Sequence, residues 1–321
     1  MDLRRSRLRF SDPFFRAATG LFAVLIIAIV AAIGFELWRQ SRISIHQFGW
    51  QFWRTDTWDP VAGQFGARPF IWGTLYSSVL ALLIATPVAL GIAIYISEIA
   101  PASLQRPLVF LTELLAAVPS IVYGLWGIFV LVPWVRSIES AAPQWLRATP
   151  FFSGAPYGVG MLAAALILAI MIVPYTSSVA REVLRAVPQA QREGAYALGA
   201  TRWEAIRMAL FYARTGILGA VLLGFGRALG ETMAVTMVIG NTPQISLSLF
   251  APQYTMAAVL ANEFTEAAST LYLNALVEIG LVLFVITLII NAASRAFIWS
   301  LARPPKPARA RPQPTPATET A

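Results

Sequence analysis

The sequence predicts an all-α, polytopic membrane protein with six transmembrane helices, and three observations carry that reading. Six apolar segments recur along the 321-residue chain, each long enough to meet the roughly 20 residues that a helix needs to cross a hydrocarbon core. Hydrophobic residues make up 57% of the chain and charged ones 12%, with a mean hydropathy of +0.65, whereas soluble domains are about one-quarter charged. Arginine is concentrated in the polar stretches between the apolar segments rather than within them.

The elements follow in order. Residues 1–16 form a basic N-terminus with Arg4, Arg5, Arg7, Arg9 and Arg16, and an apolar span covers residues 17–38. A signal peptide begins similarly, but its apolar region is only about 7–15 residues, so this span reads as an uncleaved first helix. Residues 39–69 (with FGWQFWRTDTWDP) form an aromatic loop outside the cytoplasm, rich in the tryptophan favoured at membrane interfaces. The second span, about residues 70–97, contains Pro87 and Gly91, which a buried membrane helix tolerates when its neighbours re-satisfy the backbone. The third, about 108–133, is expected to kink at Pro119-Ser120 and to pack closely at Gly124 and Gly127. A loop at 134–157 leads to the fourth span at about 158–180, and a basic stretch precedes the fifth at about 215–240. Residues 241–270 lack Lys and Arg, the sixth span covers about 271–298, and the basic, proline-rich tail 300–321 is predicted to be disordered.

Charge orients these spans. Of 24 Lys and Arg residues, with Lys306 the sole lysine, seventeen fall on the side of the N-terminus and six on the other, leaving Arg227 inside the fifth span. By the positive-inside rule both termini are cytoplasmic. The net charge of +8 therefore speaks to topology and anionic membrane lipids, not to nucleic acid.

The polar stretch 186–210 (AVPQAQREGAYALGATRWEAIRMAL) has internal order. Pro188 suits the start of a short helix, and Gly199 stops that helix as a residue able to adopt positive φ. Thr201 with Glu204 forms a capping box that opens a second helix. The glutamate, glycine and alanine at Glu193, Gly194 and Ala195, followed by Gly199, Ala200 and Thr201, give a helix pair on the cytoplasmic side. By position and spacing this pair resembles the EAA loop of ABC-importer permeases, the coupling element on which an ATPase sits. Gly194 stands where that loop usually has alanine, which weakens the helix by about 1 kcal/mol.

In the fifth span, GFGRALGETMAV (224–235) places Arg227 near mid-membrane, where a charge costs about 2.5–3.5 kcal/mol even on the lenient insertion scale. Glu231 follows at i+4, the spacing that puts two side chains on one helix face, and Gly224, Gly226 and Gly230 permit close helix approach. Two readings stand: the pair neutralises itself and fixes packing, or Arg227 lines an anion path and Glu231 positions it. A guanidinium suits a tetrahedral oxyanion because its planar fork binds two oxygens at once. Glu113 and Glu278, inside the third and sixth spans, are expected to snorkel or to bond between helices.

Several chemistries are excluded. No G-x-x-x-x-G-K-[ST] loop occurs, so the chain cannot hydrolyse ATP by that chemistry. The resemblance to an ABC-importer coupling loop therefore implies a separate ATPase chain that holds ATP and Mg, and a chain that is not itself an enzyme. There is no cysteine, and His46 is the single histidine, which leaves no Cys- or His-based metal cluster and no cofactor site in the chain.

Together, VPSIVYGLWGIF, VPYTSSVAREVLRAVPQAQREGAYALGATRWEAI and GFGRALGETMAVTMVIGN resemble the phosphate-specific ABC importer permeases of the PstC type. The resemblance implies a five-helix permease core at residues 70–299 preceded by one extra helix, in the bacterial inner membrane. It implies a second related permease as partner, two copies of an ABC ATPase, and an extracytoplasmic phosphate-binding protein. It also matches Arg227 and Glu231 to a charged pair implicated in phosphate passage, and Glu193, Gly194, Ala195 and Gly199 to the coupling loop. The alternatives are a permease for sulfate, molybdate or a phosphonate, and an ion-coupled secondary transporter, whose fold would show paired broken helices in two inverted halves.

Overall fold

The computed structural model describes residues 3–302, and among the described residues the chain is helical, with only isolated bridges at Asp59–Gln64 and Gly240–Gln253. In order the helices are α1 (Leu3–Gln40), α2 (Arg42–Phe48), α3 (Arg68–Ile94), α4 (Ala102–Ala117), α5 (Ser120–Trp126), α6 (Val132–Ala141), α7 (Gln144–Arg147), α8 (Met161–Arg185), α9 (Gln189–Ala197), α10 (Arg202–Leu229), α11 (Met233–Val238), α12 (Met256–Glu263) and α13 (Thr270–Ala302). A 3-10 turn follows α2, and π-helical turns extend α3 to Ile99 and join α5 to α6. Six segments are long and apolar enough to cross a membrane: Pro13–Gln40, Arg68–Ile99, Ser120–Ala141, Met161–Arg185, Arg202–Leu229 and Thr270–Leu301. The tail beyond residue 302 lies outside the described residues.

The core is built around α8, the most buried span. Ala81, Ala85, Ala89 and Ala93 recur every fourth residue on α3 and are fully buried, giving a flat face on which another backbone can lie close. Their neighbours on α8 include Ala163, Ala164 and Ile167 near its start and Ala180 and Leu184 at the coupling end. Lipid is as apolar as leucine, so this contact is held by packing rather than by escape from water. The aromatic loop is an ordered cap: Phe52, Phe65 and Phe70 are buried with Tyr254, Tyr272 and Trp58 around them. Glu263 accepts from Trp58 Nε1 (2.8 Å) and Tyr272 Oη (2.7 Å), which closes the cap over α12 and α13.

Three expectations need correction. The third segment is not one kinked helix. Val118 (ψ 128°) and Pro119 (ψ 141°) leave the helical region, and Pro119 cannot donate the backbone bond that would carry α4 on into α5. The spanning portion is Ser120–Ala141, so the helix invades the expected loop at 134–157. The second coupling helix and the fifth span also merge, because α10 runs unbroken from its Thr201 cap to Leu229. The stretch from Gly230 to Thr232 then separates α10 from α11, so the fifth crossing is a broken helix. Finally, α1 begins within the basic N-terminus rather than after it.

Candidate coupling and translocation sites

The coupling pair has the local geometry its sequence dictates. Pro188 caps α9, and Gly199, at φ +83°, takes the left-handed conformation that ends it. The Ala200 amide returns to the Ala195 carbonyl (3.1 Å) and the Gly199 amide to Tyr196 (2.9 Å), satisfying carbonyls that a helix end leaves free. Thr201 Oγ1 accepts from the Glu204 amide and Glu204 Oε2 accepts from the Thr201 amide at 2.7 Å, the reciprocal capping box. Ala195 is buried, whereas Glu193, Gly194, Tyr196 and Gly199 are exposed. Leu198 is 91% exposed and Trp203 62%.

Sequence reasoning missed what holds this pair in place. Arg192 on α9 donates to Glu98 at the end of the second span through Nη2 (2.7 Å) and Nε (3.2 Å), a two-pronged ion pair. It also donates to the carbonyls of Val187 (2.8 Å) and Leu184 (2.9 Å). Arg202 at the start of α10 donates to the Glu98 carbonyl (2.8 Å). Both side chains of the ion pair are largely buried. The sequence separation of 94 between Glu98 and Arg192 hides this contact from any local pattern.

At the other candidate site, Arg227 occupies the last turn of α10. A Cβ on Gly224 would stand 2.5 Å from Thr176 Oγ1, and the Arg227 guanidinium lies 5.8 Å from the Tyr175 ring centroid. Both contacts fall on the second half of α8, and Arg227 is the third residue from the end of the apolar segment Arg202–Leu229. The helical pairing with Glu231 is not formed. The helix stops at Leu229, and no ion pair among the described residues joins the two. Glu231 instead accepts from the Ala234 amide (3.3 Å), at the start of α11. Gly226 and Gly230 also make no close approach; of the three glycines only Gly224 does.

Two chain breaks adjoin here. A Cβ on Gly124, in α5 just after the Pro119 break, would collide with Met237 and approach Ala234 of α11. Irregular backbone at membrane depth occurs where it is covered by protein or lines a water-filled cavity. Arg227 is exposed, three residues before the Gly230 break. Glu278, by contrast, is buried in α13 with its Oε2 unpartnered. Glu113 reaches across to Arg181 at 3.7 Å, the interhelical contact expected of it.

Residues 88–301 match the model of the family described as binding-protein-dependent transport system inner membrane component. The chain belongs to this family. The permease is 44% identical over 306 residues to the phosphate transport system permease protein PstC of Mesorhizobium japonicum, covering 94% of each chain. It is 46% identical over 309 residues to the PstC of Haemophilus influenzae, covering 93% of this chain and 98% of that one. A probable PstC of Methanocaldococcus jannaschii is 36% identical over 291 residues, covering 88% and 92%. These relatives bear out the resemblance drawn from the sequence. Among solved structures, the permease resembles a chain of an inward-facing MetNI methionine ABC transporter (TM-score 0.56, 17% identity, covering 73% and 94%). It also resembles a chain of a bacterial ABC transporter that imports alginate (TM-score 0.58, 14% identity, covering 94% and 98%). At those identities the likeness is one of fold.

Proposed function

We propose that this permease forms one half of the translocation path of an ATP-driven phosphate importer. A second related permease completes the path, two copies of an ABC ATPase bind ATP and Mg below it, and an extracytoplasmic phosphate-binding protein delivers the substrate. The observation that carries the reading is Arg227: a guanidinium within an apolar, membrane-length helix, exposed on the chain, beside a break in that helix. A charge in that place costs about 2.5–3.5 kcal/mol against lipid, so its face belongs against a partner protein and a wet path. With Glu231 not paired to it, the fork is free to take two oxygens of a tetrahedral oxyanion.

Coupling follows from the rod. Glu193, Gly194, Ala195, Gly199, Ala200 and Thr201 form the coupling turn, with Leu198 and Trp203 presenting apolar contacts to the ATPase. Because α10 is continuous from Thr201 to Leu229, a displacement of the turn reaches Arg227 without an intervening hinge. Closing of the ATPase dimer would move this rod and alternate access to the break at Gly230–Thr232. The arginine bias supports cytoplasmic termini in a bacterial inner membrane, with the coupling turn facing ATP. Family membership speaks against an ion-coupled carrier, and the PstC relatives favour phosphate over sulfate, molybdate or a phosphonate.

The test is uptake of radiolabelled phosphate by proteoliposomes holding the intact transporter with its binding protein. ATP-dependent uptake that excess sulfate does not compete for is expected. Uptake that continues with a hydrolysis-dead ATPase, or sulfate accumulation at the same rate, would contradict the reading.

A further inference from the structure

On the coupling-helix side of the bundle, away from Arg227, a cavity of about 470 Å³ opens between α4 and α8, lined by Gln105, Arg106 and Glu113 of α4 and by Arg181 and Arg185 of α8. Three guanidiniums face a single lining carboxylate. Arg181 is 96% buried and pairs with Glu182 (2.7 Å) and more distantly with Glu113 (3.7 Å). Its Nε is buried without a hydrogen-bond partner. A buried guanidinium with an unused donor is costly to leave so, since each such group forgoes its solvation. Arg106 and Arg185 are exposed and form no ion pair among the described residues. The first turn of α4, with Ala102 at the cavity wall, has no side-chain cap and adds the positive end of a 16-residue helix dipole.

From this geometry we infer that the α4–α8 cavity binds a phosphate group, held by the guanidiniums of Arg106, Arg181 and Arg185. The forks supply paired donors for its oxygens, and Glu113 competes with the ligand for Arg181. The group comes either from an anionic phospholipid headgroup, since the outer face of α4 is apolar and exposed at Phe110, Leu111 and Leu114, or from free inorganic phosphate at the inner mouth of the path. The site stands on its own residues, so it is tested apart from the transport reading.

The experiment uses the intact transporter in phosphatidylcholine nanodiscs, without ATP or binding protein, in an R227Q background that removes any contribution from the path. One arm measures binding of radiolabelled inorganic phosphate, and the other measures retention of phosphatidylglycerol by native mass spectrometry. Binding in the first arm identifies free phosphate as the ligand; binding in the second alone identifies a headgroup. In whichever arm binds, R106Q/R185Q is expected to weaken affinity at least about tenfold, the factor equivalent to 1.4 kcal/mol, and E113Q to strengthen it. Both substituted arginines are exposed, so the fold does not depend on them. Binding in neither arm, or affinity unchanged in R106Q/R185Q, would overturn the proposal. Loss of phosphate import by the wild-type transporter would instead count against the transport reading and leave this one standing.

Discussion

Gly199 shows how much a single residue can decide. Its φ of +83° lies where an L side chain is strained although nothing crowds the position, so the restriction is in the backbone and not in packing. Gly199→Val should cost about 1–2 kcal/mol locally and loosen the turn that presents Leu198. Reduced co-purification of the ATPase with an otherwise normally inserted permease is the expected result; undiminished co-purification would show that the turn does not set the docking surface. Gly199 and the Thr201–Glu204 box were legible in the sequence because their chemistry is complete within four residues. Arg192 was not, because its partner Glu98 is supplied by a different crossing. Nothing in QAQREG distinguishes it from a solvated arginine.

At the scale of elements, that ion pair fastens α9 to the end of the second span. Removing one member leaves the other charge largely buried and unpaired, which costs about 3 kcal/mol. Arg192→Met should therefore lower the thermal stability of the complex and weaken stimulation of ATP hydrolysis by the binding protein; unchanged stimulation would mean that α9 needs no anchor. The fifth crossing is the element where sequence reading and structure part. Arg227 and Glu231 at i+4 are neighbours only on an unbroken helix, and Gly230 ends this one. The signal was present, since glycine directly after an apolar periodic run is a common helix stop, but the hydrophobic pattern resumes at once in α11 and conceals it. Gly230 has a negative φ of −96° and open space at its Cβ, so alanine fits there and favours helix by about 1 kcal/mol. Gly230→Ala should slow phosphate transport while leaving expression and ATPase docking intact. Wild-type rates in this variant would assign the break to packing alone.

For the whole molecule, six membrane-crossing segments, their order and the extra N-terminal helix were legible because hydropathy reports burial in lipid directly. Where the crossings break, and which face carries the breaks, was not, since both depend on contacts between α5, α8 and α11. The described part of α1 buries none of its side chains from residue 13 onward, as befits a peripheral helix in lipid, whereas the core closes around α8. An exposed guanidinium such as Arg227, within an apolar membrane-length helix, is ill suited to lipid. The central claim is that this guanidinium serves a wet anion path between two permeases. It is tested most directly by ATP-driven phosphate uptake in proteoliposomes holding an Arg227→Gln transporter whose subunits assemble in normal ratio. The account predicts uptake reduced at least about a hundredfold, the equivalent of roughly 2.7 kcal/mol, with ATPase docking retained. Uptake at the wild-type rate by this assembled variant would contradict it.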